Sequence, residues 1–204
     1  MTRWIAVLLA VVATSGAADA VAQEAVPGPG TVVISIIPGG ATFFTEAKDN
    51  PQGPSFGNYD LGAAVAVNVT RFIAFEGEVS GALGVSQTMQ VGTFTFDGRS
   101  PHLLDYSGSL IVSAPTGTSV VPYAAGGVGA LTLFERRALT IDDSETFLTS
   151  NVGGGVNWYA GRWGLRGDYR FIVVRAKDHA PAFFGQDTRY GHRIYGGVLL
   201  NVGR

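Results

Sequence analysis

The chain has 204 residues, a formal net charge of −2 and no cysteine; 46% of it is hydrophobic and only 15% charged. So even a balance leaves no electrostatic footprint for nucleic acid, and the missing cysteines remove any disulfide framework or cysteine-based metal site. Beyond the first two dozen residues no apolar run reaches spanning length, which excludes a helical membrane protein and leaves a strand-built one that exposes apolar surface.

The first residues read as an export signal. Arg3 supplies a short positive region, Trp4 to Val12 is an unbroken apolar run, and Ala20-Val21-Ala22 forms an A-x-A cleavage site before Gln23. That run is about half of the ~20 residues a spanning helix needs. Residues 1–22 are therefore expected to be a cleavable signal peptide. Residues 23–30 form a Pro/Gly linker, and 31–204 a single domain.

Short alternating segments bounded by turn signals predict strands over 31–44, 57–69, 71–83, 102–114, 118–134, 147–160, 162–175 and 191–202. The connections alternate in length. Val69-Thr70-Arg71, Pro115-Thr116-Gly117 and Ala160-Gly161-Arg162 are tight; the other four, such as Glu46 to Ser55 and Arg175 to Tyr190, are long and polar. Sorting loops by parity is the habit of an up-and-down barrel in an outer membrane; a lipocalin-like soluble barrel has no reason for it. The stretch Thr93-Phe94-Thr95-Phe96 in the second long connection either extends the neighbouring strands or adds a hairpin, for ten strands in all.

The segment from Trp163 to Phe171 shows two faces. Trp163, Leu165, Gly167, Tyr169 and Phe171 share one; Gly164, Arg166, Asp168 and Arg170 share the other. Three charges within five residues would each cost roughly 2–4 kcal/mol per arginine if turned to midplane lipid. Turned inward they meet complements: Glu76 and Glu78 at spacing two, Asp105, and Arg193, so that arginine and carboxylate can pair bidentately. Ile194, Val198, Leu200 and Val202 then face outward on the last strand. Small residues fit the narrow interior, in Gly126-Gly127-Val128-Gly129, in Gly153-Gly154-Gly155 and in the inward set Gly62, Ala64 and Ala66. The fold class expected is all-β, an eight-stranded antiparallel up-and-down transmembrane β-barrel with ion pairs inside and lipid outside.

Three stretches, Pro122 to Gly129, Asn151 to Val156 and Trp163 to Phe171, in this order and spacing, make the chain resemble the small outer-membrane β-barrel family that includes the transmembrane domain of the outer-membrane protein A type. The resemblance covers nearly the whole of 31–204. It implies a C-terminal signal for the outer-membrane assembly machinery, matched by Tyr195, Gly197, Leu200 and Val202, with Val202 standing where an aromatic is usual. The peptidoglycan-binding domain of larger members is not expected after Arg204.

Some barrels of this membrane modify lipid A, which requires a nucleophile or base held by an orienting group. A deacylase of that type resembles a His-x-Ser pair; His192 is followed by Arg193 and Ile194, and His179 by Ala180 and Pro181. His102, His179 and His192 read as rim or loop residues. Glu76 and Glu78 read as structural partners of arginine, or as a polar plug that gates a narrow water path, before they read as a paired-carboxylate site. Asp142, Asp143 and Glu145 in the third long connection lack the ligand spacing of a calcium loop. No catalytic site, cofactor or metal is expected. The function expected is a structural and surface-interaction barrel in the outer membrane of a Gram-negative-type cell, its loops contacting lipopolysaccharide, a host surface or neighbouring proteins. A small channel is the alternative, followed by a lipid A-modifying enzyme and a soluble periplasmic barrel with an apolar ligand.

Overall fold

A computed structural model describes residues 27–45, 55–91, 93–137, 140–178, 184 and 186–202; the expected signal peptide and the first half of the linker lie outside them. The strands are β1 (Val32–Phe44), β2 (Phe56–Asn68), β3 (Ile73–Gly84), β4 (Ser86–Val91), β5 (Phe94–Arg99), β6 (His102–Ser113), β7 (Val120–Arg137), β8 (Thr140–Ala160), β9 (Trp163–Val174) and β10 (Arg189–Val202). Eight close into an antiparallel barrel in the order β1-β10-β9-β8-β7-β6-β3-β2. Closure pairs both edges of every wall strand, so the wall presents no edge to another chain. β4 and β5 pair with each other in a separate two-stranded sheet. Of the two readings of Thr93–Phe96, the hairpin is the one formed, and it stands outside the wall.

The short connections gather at one end of the barrel, with the first residues of β1 and the last of β10: Val32 pairs with both Val202 and Val67. Their sequences explain their tightness. Gly117 and Gly161 take φ of 77° and 65°, a region that costs glycine nothing. Between β2 and β3 the Thr70 hydroxyl accepts the backbone N–H groups of Phe72 and Ile73, each at 3.0 Å, which folds the chain back without a glycine.

One long connection differs from expectation. β7 and β8 run on past residues 134 and 147 as a paired ladder, with one register shift between Glu135 and Arg136, to Arg137 opposite Thr140. Inward Leu131, Leu133 and Phe147 are buried and hold this extension to the rest of the molecule. Asp142, Asp143 and Glu145 therefore belong to strand β8, not to a loop, and Glu145 forms an ion pair with Lys177 at 2.5 Å.

β1 contains a bulge. Its register shifts between Ile36 and Gly39 against β10, and between Ile37 and Gly40 against β2. Pro38 lies at this irregularity, the kind of place a sheet tolerates a residue without an N–H. A Cβ on Gly39 would sit 2.6 Å from the Tyr59 hydroxyl, which donates to the Pro38 carbonyl at 2.8 Å, and one on Gly40 would sit 2.6 Å from the Tyr195 Cβ. The extra residue inverts the alternation: Val33, Ser35 and Ile37 face inward before it, Thr42 and Phe44 after it.

β9, by contrast, alternates without irregularity. β9 exposes Trp163, Leu165, Gly167 and Tyr169 and buries Arg166, Asp168, Arg170, Ile172 and Val174. The outside of the wall is a belt of exposed apolar residues, among them Ile36, Val65, Phe75, Val79, Val128, Val152 and Ile194. A continuous apolar belt of this extent is far beyond what a monomeric protein turns to water.

Candidate functional site

Strand parity delivers seven charged side chains to the middle of the lumen. Arg166, Asp168 and Arg170 come from β9, Glu76 and Glu78 from β3, Asp105 from β6 and Arg193 from β10, and all are buried. They form two groups. In the first, Arg166 grips Glu76 with both terminal nitrogens and donates to Asp168 at 2.9 Å. Arg170 holds Asp168 bidentately, at 2.8 and 3.1 Å, and reaches Glu76 at 3.2 Å. In the second, Arg193 donates to Glu78, to Ser80 at 2.9 Å and to Asp105 at 3.5 Å. Bidentate arginine–carboxylate geometry is what makes buried charge tolerable, because each lone pair meets an N–H.

Two tyrosines not expected in the lumen join the charged layer: Tyr123 within the first group, and Tyr195 between the two. Tyr123 of β7 donates to Asp168 and accepts from Arg166 Nε at 2.7 Å, with the guanidinium 4.9 Å from its ring. Tyr195 donates to Glu78 at 3.0 Å, and its ring lies 5.7 Å from Arg166 and 4.9 Å from Arg193. Parity held the signal: Tyr123 alternates with inward Ala125 and Gly127, and Tyr195 stands two from Arg193. Also unforeseen is Asp60 of β2, buried and accepting from Thr42 at 2.5 Å. That contact exists because the β1 bulge turns Thr42 inward. Of the glycine runs expected inside, Gly127, Gly129, Gly153 and Gly155 have the inward parity, while Gly126 and Gly154 fall on the outer face; a Cβ on Gly155 would stand 2.6 Å from the Tyr123 hydroxyl.

The charged layer lies between apolar layers. Toward the short-turn end, Val33, Val121, Tyr159 and Leu199 form one cluster and Ala74, Ile111, Tyr123 and Ala125 another. Toward the loop end, Phe44, Phe56, Leu103, Leu131, Leu133, Phe147, Ile172 and Val174 converge. Their centre is occupied by Phe184 from the connection between β9 and β10, and Met89 of β4 joins them. A cavity of about 30 Å³ lies beside Glu76, Asn157 and Arg166, and one of about 10 Å³ beside Glu78, Asp105, Arg170 and Arg193. Such volumes take roughly two waters and one.

Trp163, Leu165, Tyr169, Phe171, Ile194, Val198, Leu200 and Val202 all lie on the outer face. Of the expected assembly-signal residues, Tyr195 and Gly197 point inward and Leu200 and Val202 outward. His192 is on the outer face, its Nδ1 2.7 Å from the Tyr169 hydroxyl and its ring 5.3 Å from that of Phe171. His102 Nδ1 accepts the Gly84 amide at 3.3 Å, and His179 lies outside the described residues. Among the described residues no three His, Asp or Glu side chains are grouped to hold a metal ion.

No family model matches the sequence, and no curated protein does. Solved structures are similar in shape. Neisserial surface protein A aligns with a TM-score of 0.62 at 13% identity, over 83% of this chain and 96% of that one. The N-terminal β-barrel domain of Pseudomonas aeruginosa OprF aligns at 0.53 and 12%, over 86% and 100%. Ail, the attachment invasion locus protein of Yersinia pestis, in complex with the heparin analogue sucrose octasulfate, aligns at 0.50 and 11%, over 84% and 99%. The fold of this chain is that of the small eight-stranded outer-membrane β-barrels.

Proposed function

We propose that the chain is an exported outer-membrane protein that serves as a structural and surface-interaction barrel. One observation carries the reading: the wall is apolar outside and charged inside, which is the inverse of a water-soluble barrel. Lipid surrounds the belt, and the long connections, with the β4–β5 hairpin and the β7–β8 extension, stand above it. They are the surface offered to lipopolysaccharide, a host surface or a neighbouring protein. Assembly machinery engages β10 through Tyr195, Gly197, Leu200 and Val202, the strand that seals the barrel against β1. The lumen is filled by side chains bonded to one another, which argues for a scaffold over a catalyst.

Migration on an unboiled detergent gel tests the reading directly. A compact species in the membrane fraction that shifts on boiling is expected; a soluble periplasmic protein without a shift refutes it. Lipid A compared by mass spectrometry with and without expression should be unchanged, and a change abolished by His192→Ala would make the chain an enzyme.

A small channel is favoured by a different observation, the two cavities beside the Glu76–Arg166–Asp168–Arg170 group. If rearranged pairs joined them, ions would pass. Planar-bilayer conductance that rises in Glu76→Gln would support that reading, and silence in both proteins would remove it.

A further inference from the structure

The two ends of the barrel differ in charge. The loop end, the mouth of the barrel, carries both signs, as in the ion pair of Glu145 with Lys177. The short-turn end carries one. The described residues at that end, 27–34, 66–75, 110–122, 157–165 and 198–202, contain no Asp, Glu or Lys and only two arginines, Arg71 and Arg162. Both are exposed, and among the described residues neither meets a carboxylate, whereas every arginine of the charged layer does. The two stand in like surroundings. Each is followed by an exposed aromatic, Phe72 in one turn and Trp163 in the other. Each backbone is fixed: the Thr70 hydroxyl accepts the N–H groups of Phe72 and Ile73, and the Arg162 carbonyl accepts the Asn201 N–H at 2.8 Å. The Arg71 guanidinium stands 4.6 Å from the centroid of the Phe72 ring. The turns β2–β3 and β8–β9 lie half the ring apart, on opposite sides of the barrel.

An aromatic ring at a membrane boundary keeps its body among the acyl chains, so a cation one residue farther out stands at the level of the headgroups. A guanidinium whose face lies on a ring, as in Arg71, keeps its N–H edge free, and that edge matches two oxygens of a phosphate. With no carboxylate of the protein in reach, the complementary charge comes from outside it, and at the foot of an apolar belt the anion at hand is a lipid phosphate. We infer that Arg71–Phe72 and Arg162–Trp163 are two docking sites for anionic phospholipid, each arginine holding the phosphate of one lipid in the leaflet at the short-turn end. Set opposite one another, the two contacts fix the depth and tilt of the barrel. The inference rests on the reading of the chain as a membrane barrel, and gives that barrel a lipid class and two points of contact.

Native mass spectrometry tests it, with the full chain folded in nanodiscs of equal parts phosphatidylglycerol and phosphatidylcholine and then released. Retention of phosphatidylglycerol is expected, one molecule for each arginine, with phosphatidylcholine lost. Arg71→Gln and Arg162→Gln should each lose one lipid, and the double variant both. Arg71→Lys keeps the charge without the fork, and should hold its lipid less often than arginine and more often than glutamine. Arg175→Gln, exposed at the other end, should change nothing. Heat-dependent migration on a gel shows that each variant is folded. Phosphatidylcholine retained as readily as phosphatidylglycerol would overturn the inference, and so would an unchanged lipid count in the double variant. A chain that never folds into bilayers would remove the barrel reading and this inference with it; a folded barrel without lipid preference removes this inference alone.

Discussion

β9 carries two kinds of interior on one face. From Arg166 to Arg170 its inward side chains are charged and bonded to β3, β6, β7 and β8; from Ile172 to Val174 they are apolar and packed under Phe184. Nothing in the backbone distinguishes the two stretches. The charged layer is held by directional bonds among a few fixed partners, and the mouth by area and shape. The first kind of contact fails abruptly when one member goes; the second fails in proportion to what is removed.

Substitutions separate these modes, measured as urea unfolding midpoints of the folded barrel in detergent. Asp168→Leu should cost most, about 5 kcal/mol, since it removes the buried carboxylate that Arg166, Arg170 and the Tyr123 hydroxyl share. A midpoint within error of the original would mean that the layer is hydrated and the contrast false. Glu78→Leu is expected to cost less, about 3 kcal/mol, because Arg193 retains Ser80 and Asp105. In the mouth, Leu133→Ala should lose about 2 kcal/mol, with Leu133→Met nearly neutral, the graded response of a packed cluster. Equal losses in Leu133→Ala and Leu133→Met would show the mouth to be as exacting as the charges. The smallest effect belongs to Tyr169→Phe on the outer face, about 0.5 kcal/mol for one hydrogen bond to His192; a larger loss would give that pair a structural part.

The same contrast explains what could be read from the sequence. A period of two assigns faces wherever a strand has no irregularity, so Glu76, Glu78, Asp105 and the charges of β9 and β10 fell on the inner side without any tertiary knowledge. It also contained Tyr123 and Tyr195, had their parity been followed from the glycines and from Arg193. Layer, unlike face, is not periodic. Phe44, Phe56 and Phe147 look on their own like aromatics for a lipid interface, and only the meeting of six strands makes them a lining. For Phe44 the face itself was hidden, because parity cannot be counted through Pro38-Gly39-Gly40 until the bulge is known. The β7–β8 extension escaped for a related reason: its acidic run has the composition of a loop, while the buried Leu131, Leu133 and Phe147 that anchor it are contacts between distant parts of the chain.

The irregularity in β1 acts as a phase marker for the loop-end half of that strand. Removing a single glycine there would carry Thr42 and Phe44 to the outer side and bring Phe43 within, depriving Asp60 of its donor and the mouth of one aromatic wall in a single step. A deletion several residues long in the connection that follows β1 leaves that phase untouched. For β1, tolerance to insertion and loss is thus set by whether the count between Ile37 and Thr42 is kept.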